Sequence, residues 1–209
     1  AGITKDGRLD LEDLEGKINP RTKIVSATMA SNILGTINPV EKIGKIAKAA
    51  GAYFVVDAAQ AIPHTGVDVK KIGADFLAFS AHKMMGPTGI GVLYGKEELL
   101  EKMPPFLTGG DMISTVTLEK SEWNKLPWKF EAGTPNIAGG IGFGAAIGYL
   151  SKIAYGDIES HEKKLLKFGL KRMMEIDGVQ VYGPADGPRT GIIPFNLTGV
   201  HPHDIASVL

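Results

Sequence analysis

The 209-residue sequence predicts an α/β fold with a mostly parallel sheet. Short apolar, β-branched or aromatic runs, which are typical of buried strands, occur at 23–28, 53–56, 76–79 and 90–94. Helical patterns lie between the first strands, and strands that alternate with helices indicate parallel β-α-β units. The 27 glycines exceed the roughly 7% usual in globular domains and indicate many tight turns.

Two helices are predicted in this part of the chain, one between the first and second strands and one after the fourth. The first begins at Pro39, whose fixed φ suits a helix start, and it ends at Gly51. Its apolar residues Val40, Ile43 and Ala47 have helical spacing. A shorter helix is expected at 96–102, after the fourth strand.

The second part of the chain has a different pattern. Residues 103–131 show little periodicity, so we predict one long functional or interface loop there. The elements predicted beyond it are two helices, two strands and a helix start, at 137–153, 157–176, 179–182, 191–196 and 203–204. We assign 1–138 to a large domain, and 139–209 to a linking helix and the first part of a smaller α/β domain.

Composition excludes several classes of protein. The 23 basic and 23 acidic residues balance, which argues against a general nucleic-acid binder. No apolar run reaches the ~18 residues of a membrane span. The absence of cysteine excludes disulfides and thiolate metal sites within the chain. We expect a cytoplasmic protein. We also expect no metal site, because His201 and His203 lack an evident third ligand.

Glycines at positions 140, 144 and 148 recur every four residues in the first helix of the second part. They belong to a G-x-G-x-x-A pattern typical of dinucleotide-binding loops, but no strand precedes it. We therefore predict that these glycines form a narrow helix face for close packing against a neighbouring element.

Polar side chains follow three of the predicted strands. Asn32 follows the first strand, Asp57 and Gln60 follow the second, and the third leads into the run Ser80-Ala81-His82-Lys83. In open α/β sheets, ligands bind at the carboxyl ends of the strands. We therefore expect Asn32, Asp57, Gln60, Ser80, His82 and Lys83 to form one site.

These residue types suit pyridoxal phosphate (PLP). A lysine such as Lys83 forms a Schiff base with the PLP aldehyde, and a carboxylate such as Asp57 keeps the pyridine nitrogen protonated. Ser80 and His82 offer donors to the phosphate. We expect an extended Ser80–Lys83 segment, with Lys83 on the opposite side from Ser80 and His82. The following GPTGIG run predicts a tight turn.

Three longer motifs resemble those of a known family: VVDAAQA at 55–61, FLAFSAHKMMGPTGIGVLY at 76–94 and FEAGTPN at 130–136. They are similar to the class V aminotransferases, and within that group most similar to cysteine desulfurases. SNILGT at 31–36 and GGDMI at 109–113 resemble the SUF-type branch, which serves iron–sulfur assembly. The resemblance extends over residues 5–209.

The resemblance implies a PLP-dependent transferase of fold type I, with a three-layer α/β/α large domain that is incomplete here. It implies that Lys83 is the catalytic residue, which holds the cofactor aldehyde and later moves a proton at the substrate α-carbon. Gln60 would bind the phenolic oxygen of the cofactor, and Asn32 would lie near the substrate carboxylate. Gly133 and Thr134 would contact the cofactor phosphate of the partner subunit in a homodimer.

The reaction implied is the conversion of L-cysteine to alanine, with sulfur passed through an enzyme cysteine to an acceptor protein of iron–sulfur assembly. Family members are much longer, so we expect a central fragment that lacks the nucleophilic cysteine and is inactive alone. Two alternatives remain: another class V enzyme, of transaminase, kynureninase-like or epimerase-like type, or a folded fragment without catalysis of its own.

Overall fold

The computed structural model describes all residues from 1 to 209 and has a four-stranded sheet at its centre. Strands β1 (Ile24–Thr28), β2 (Tyr53–Asp57) and β3 (Phe76–Ser80) are parallel and lie in that order. Strand β4 (Gly91–Gly95) pairs antiparallel with β3 at the edge. The prediction of an α/β fold with a mostly parallel sheet is confirmed.

Four helices accompany the sheet. The predicted ones are α2 (Val40–Ala49) and α4 (Glu97–Lys102). Sequence reasoning missed α1 (Leu11–Lys17) and the single turn α3 (Val69–Ile72). Both are short, and each is capped by an aspartate, Asp10 or Asp68, whose side chain accepts backbone N–H groups of the first turn.

The two faces of the sheet differ sharply in their packing. Helix α2 covers one face, where Phe54, Val56 and Leu77 are almost fully buried in a core cluster with Ile43. Close approach is possible because Gly44 has no side chain: a Cβ there would lie 2.6 Å from the carbonyl oxygen of Ile72. We call this side of the sheet the closed face.

The other side, which we call the open face, presents apolar side chains to solvent. Ile24, Tyr53 and Leu93 are 61%, 50% and 59% exposed there. The expected three-layer domain is therefore incomplete in this chain, because nothing within it covers the second face.

The predicted long loop at 103–131 contains more structure than expected. Strands β5 (Ile113–Val116) and β6 (Ser121–Trp123) form a separate hairpin, and residues Trp128–Phe130 form a 3₁₀ helix. The prediction of one long loop missed this hairpin because both strands are largely exposed. They have no buried face to impose an alternating pattern on the sequence.

The remaining elements agree with the predictions within a few residues, with one exception. They are α5 (Ile137–Leu150), α6 (Tyr155–Met174), β7 (Val179–Val181), β8 (Phe195–Leu197) and α7 (Pro202–Val208). The exception is β8, predicted at 191–196. Residues 191–194, where this strand was expected to begin, lie outside it. They follow Thr190, whose N–H donates to the carbonyl oxygen of Gly35.

Helix α5 does not pack as its glycines predicted. A Cβ added at Gly140, Gly144 or Gly148 would meet no atom within 4 Å. The predicted close-packing face is therefore unused within the 209 residues. No single helix is long and apolar enough to span a membrane; only α5 and α6 taken together meet that test, and they are bent by 79°.

The first and second parts of the chain are joined by backbone and side-chain bonds. The N–H of Thr190 donates to Gly35 at 2.9 Å, and the N–H of Ile37 donates to Pro188 at 3.1 Å. Nearby, His64 Nδ1 lies 2.6 Å from the carboxylate of Glu162 on α6. The division at 138/139 stays a prediction.

Candidate active site

The carboxyl ends of the three parallel strands lie side by side. Thr28, Asp57 and Ala78 are register partners across β1, β2 and β3. Side chains of register partners share a face, and residues two apart on a strand also share one. Asp57 and Ser80 therefore both lie on the open face, on neighbouring strands at the same edge.

Asp57 is exposed and only partly engaged. One carboxylate oxygen accepts the N–H of Ala59 at 2.9 Å, which fixes the turn after β2. The main-chain oxygen of Asp57 accepts the N–H of Met29 at 2.8 Å and so ties β2 to the segment after β1. Gln60 follows in the same turn and is half-buried.

The segment after β3 corrects the predicted geometry. Residues Ala81–Met84 form a 3₁₀ helix, so the expected extended conformation was wrong. Residues three apart align on a 3₁₀ helix, and here Ala81 and Met84 are both buried. His82 and Lys83, which lie between them, are exposed together. Burial of the two apolar residues, rather than strand alternation, decides where Lys83 lies.

Lys83 itself is available for chemistry. Its ammonium group takes part in none of the ion pairs of the structure, and its side chain is exposed at the site edge. An unpaired amine after β3 and an exposed carboxylate at the end of the neighbouring strand β2 suit a carbonyl cofactor that also carries a basic ring nitrogen.

The predicted tight turn after Lys83 is confirmed. Gly86 donates its N–H to Ala81 at 2.9 Å, and a Cβ on Gly86 would approach that same carbonyl oxygen to 2.9 Å. A Cβ on Gly91 would lie only 2.6 Å from the oxygen of Phe79. These two glycines let the turn fold back against β3, and so hold the 3₁₀ helix with His82 and Lys83 in place.

Asn32 lies in a tight loop after β1. The hydroxyl of Ser31 accepts the N–H groups of Ile33 and Leu34, at 3.2 and 3.0 Å. The N–H of Ser31 donates to Thr36 at 2.8 Å and closes the loop. Asn32 is thereby exposed at the same edge of the sheet as Asp57.

Gly133 and Thr134 lie apart from the strand-end residues, on the loop that precedes α5. Gly133 has φ +82°, and its N–H donates to Gly110 at 2.9 Å. This bond brings the FEAGTPN and GGDMI segments together. Thr134 is exposed. Six of the predicted site residues thus lie at or after the carboxyl ends of the parallel strands, and these two lie on a separate loop.

Two buried cations near these loops were missed by sequence reasoning. The Arg189 guanidinium donates to the carbonyl oxygens of Tyr182, Pro184 and Ile192, and burial lowers its pKa. Lys129 is only 7% exposed and binds two carbonyl oxygens of α4. Lysine and arginine are seldom buried, so neither position could be distinguished from a surface residue in the sequence.

Fold and site together define the class: this is the fold type I architecture of PLP-dependent transferases. The donor set at the strand ends fits that cofactor, with an unpaired amine, a carboxylate, and hydroxyl and imidazole donors at one edge. The class V aminotransferase family matches residues 1–209, and the chain belongs to that family.

The relatives with high identity are named as desulfurases. A probable cysteine desulfurase from Halalkalibacterium halodurans is 54% identical over 99% of this chain and 50% of its own length. A cysteine desulfurase from Haloferax volcanii is 50% identical over 99% of this chain and 49% of its own length. The chain thus spans about half the length of the curated relatives it matches.

Solved structures of cysteine desulfurases are also similar to this chain. Apo cysteine desulfurase from Thermococcus onnurineus NA1 matches with a TM-score of 0.94 and 48% identity, over 100% of this chain and 52% of that chain. Cysteine desulfurase CsdA from Escherichia coli matches with a TM-score of 0.90 and 37% identity, over 95% of this chain and 49% of that chain.

Proposed function

We propose that this chain is the central, PLP-binding portion of a cysteine desulfurase, which converts L-cysteine to L-alanine and passes the sulfur on. One observation supports this most strongly: Lys83 and Asp57 lie on the ends of neighbouring parallel strands, the lysine unpaired and the carboxylate exposed. High identity to desulfurases over the whole chain supports this reaction over the other class V reactions.

When bound, PLP supplies an electron sink for the substrate α-carbon. The residues around it have separate tasks. Lys83 would hold the cofactor aldehyde through its amine and would move a proton at the substrate α-carbon. Asp57 holds a proton on the pyridine nitrogen, and Gln60 binds the phenolic oxygen. Ser80 and His82 donate to the phosphate, and Asn32 binds the substrate carboxylate.

The sulfur-accepting group is not part of these residues. None of the 209 residues is cysteine, so the thiolate that takes sulfur as a persulfide must come from elsewhere in the protein. From there, we propose, the sulfur goes to an acceptor protein of cytoplasmic iron–sulfur assembly. This assignment rests on the SNILGT and GGDMI motifs.

We further propose that the working unit is a homodimer, in which Gly133 and Thr134 bind the cofactor phosphate of the partner subunit. The exposure of Thr134 and the partial exposure of Gly133, on a loop apart from the strand-end group, support this arrangement. The exposed indoles of Trp123 and Trp128 in the preceding segment are suitable for a subunit contact.

The proposal is tested by titrating the 209-residue protein with PLP, reducing the complex with borohydride and mapping the labelled peptide by mass spectrometry. We expect one adduct, on Lys83. Lys83→Ala should abolish it. Lys45→Ala is the matched control, because Lys45 is an exposed lysine on α2 at the closed face, and its loss should leave the adduct unchanged.

Two outcomes would count against the proposal. A reducible adduct at the same site in Lys83→Ala would refute the lysine assignment. A chain that is folded by circular dichroism and forms no adduct would show that these strands alone do not build the site. The same labelling of the full-length protein would then decide between a site completed by other segments and a folded module without catalysis.

A further inference from the structure

Lys129 is a buried cation that the proposed chemistry does not use. Its side chain is 7% exposed, and its ammonium donates to the carbonyl oxygens of Leu100 and Glu101 at 3.0 and 2.9 Å. The same nitrogen lies 5.5 Å from the centre of the Phe130 ring, within cation–π range. A charged lysine is buried in this way only where partners compensate the loss of water.

The partners of Lys129 belong to the last turn of α4. Carbonyl groups in the last turn of a helix have no intrahelical donor, and they form the negative end of the helix dipole. An ammonium group suits that position both as a hydrogen-bond donor and as a positive charge. Lys129 therefore fastens the 3₁₀ helix Trp128–Phe130 to the end of α4.

The loop Ala132–Pro135 follows directly and is held at two further points. The N–H of Gly133 donates to Gly110. At the far end, Asn136 donates its side-chain amide to Gly89 at 3.3 Å, and its side-chain oxygen caps α5 through the N–H of Gly139. The loop is thus fixed at its start, middle and end, while Thr134 between these points stays exposed.

We propose that Lys129 is a positioning residue: it holds the loop Ala132–Pro135 in the conformation in which Gly133 and Thr134 receive the cofactor phosphate of the partner subunit. This inference rests on the proposed function. It predicts that loss of the Lys129 ammonium damages the active site of the other subunit and leaves Lys83 of its own subunit intact.

The first test measures PLP affinity of the full-length protein by absorbance and fluorescence titration. Lys129→Met keeps the apolar stem and removes the ammonium, and we expect at least about a tenfold rise in the Kd for PLP, because small displacements of binding groups are costly. Lys129→Arg should bind nearly as the wild type does. Lys125→Met is the matched control, since Lys125 is exposed four residues earlier, and it should change nothing.

The second test asks which subunit is affected. Full-length Lys129→Met and Lys83→Ala are mixed, and their subunits are exchanged. In the mixed dimer, the site with an intact Lys83 receives an intact loop from its partner. At a PLP concentration well below the Kd of Lys129→Met, we expect desulfurase activity to rise from a few per cent to about a quarter of the wild-type value, because random exchange gives one sound site in every second dimer.

The outcomes separate the two claims. Wild-type protein that binds no PLP refutes the proposed function. Wild-type protein that binds PLP, with Lys129→Met of equal affinity or with no recovery on mixing, refutes the role of Lys129 alone. If Lys129→Met does not fold, Asn136→Asp takes its place, because aspartate still caps α5 but cannot donate to Gly89. That variant should show the same weakened binding and recovery, and wild-type affinity would overturn the proposal.

Discussion

The closed and open faces of the central sheet are built from the same five-residue strands, yet they have opposite environments. On β2, Phe54 and Val56 point to the closed face and are 1% and 0% exposed, while Tyr53, which directly precedes Phe54 and points to the open face, is 50% exposed. The closed face packs on α2 and forms the larger of two core clusters. The open face has no such cover within the chain.

The site residues follow this division. Asp57 and Ser80 lie at the carboxyl edge of the open face, whereas the closed face contributes mainly apolar packing. On β2 and β3, one side therefore supports the fold, and the other carries candidate site residues. A substitution should affect stability or cofactor binding according to the face on which it falls.

The largest difference should come from a pair of neighbouring aromatic residues. Phe54→Ala removes a buried ring from the closed face and should lower the free energy of unfolding by about 3–5 kcal/mol. Tyr53→Ala on the open face should lower it by about 1 kcal/mol or less. Urea unfolding of both variants measures the difference. Equal losses of unfolding free energy in the two variants would show that the open face is covered in solution, and would remove the distinction between the two faces.

A smaller difference is expected for two glycines in helices. Gly44→Ala places a methyl group 2.6 Å from the oxygen of Ile72 and 3.1 Å from the Phe54 ring, and should cost about 1–3 kcal/mol as α2 moves outward. Gly16→Ala in α1 meets nothing within 4 Å and should stabilise by roughly 0.4–1 kcal/mol. Thermal unfolding of both variants measures the two changes in stability. A neutral Gly44→Ala would mean that α2 can shift freely over the closed face.

Sequence patterns predicted the closed face well, because its buried positions hold apolar residues at the regular spacing of strands and helices. The strands that contain Phe54 and Leu77, and the helix with Ile43 and Ala47, were all recognisable from apolar spacing. The hairpin β5–β6 and the short helices α1 and α3 were missed because little of them is buried. The packing predicted for the glycines of α5 was also wrong within the chain, since small residues show that close approach is possible but not what approaches.

The sequence predicted which residues follow the strand ends but not the conformation of the segment that carries Lys83; the membership of the site stays a prediction. Six of the residues follow parallel strands, and the rule for strand ends was enough to group them. The 3₁₀ helix that exposes His82 and Lys83 together depends on burial of Ala81 and Met84, which short-range alternation does not reveal. Lys129 could not be found at all, because its partners are main-chain oxygens 28 and 29 residues away.

The smallest expected effect concerns an ion pair beside the closed face. Asp75 accepts the N–H of Phe54 at 2.8 Å with one oxygen and the ammonium of Lys96 at 2.5 Å with the other. The hydrogen bond that Lys96 donates to the Asp75 carboxylate raises the pKa of Lys96 above its ordinary value of 10.5. A raised pKa in the folded state means that the stabilisation is complete below pH 10.5 and is lost as the pH rises through the higher folded value.

Lys96→Met should therefore cost about 0.5–1 kcal/mol near neutral pH, a modest amount because the lysine is partly exposed and solvent screens the pair. The stability gap between wild type and variant should narrow as the pH rises above 10.5. Lys70→Met, at an exposed lysine outside the ion pairs, should show neither the cost nor the pH dependence. A gap that stays constant into the alkaline range would assign the effect of Lys96 to packing of its stem. The hydrogen bond from the N–H of Phe54 to Asp75 would then be independent of the charge on Lys96.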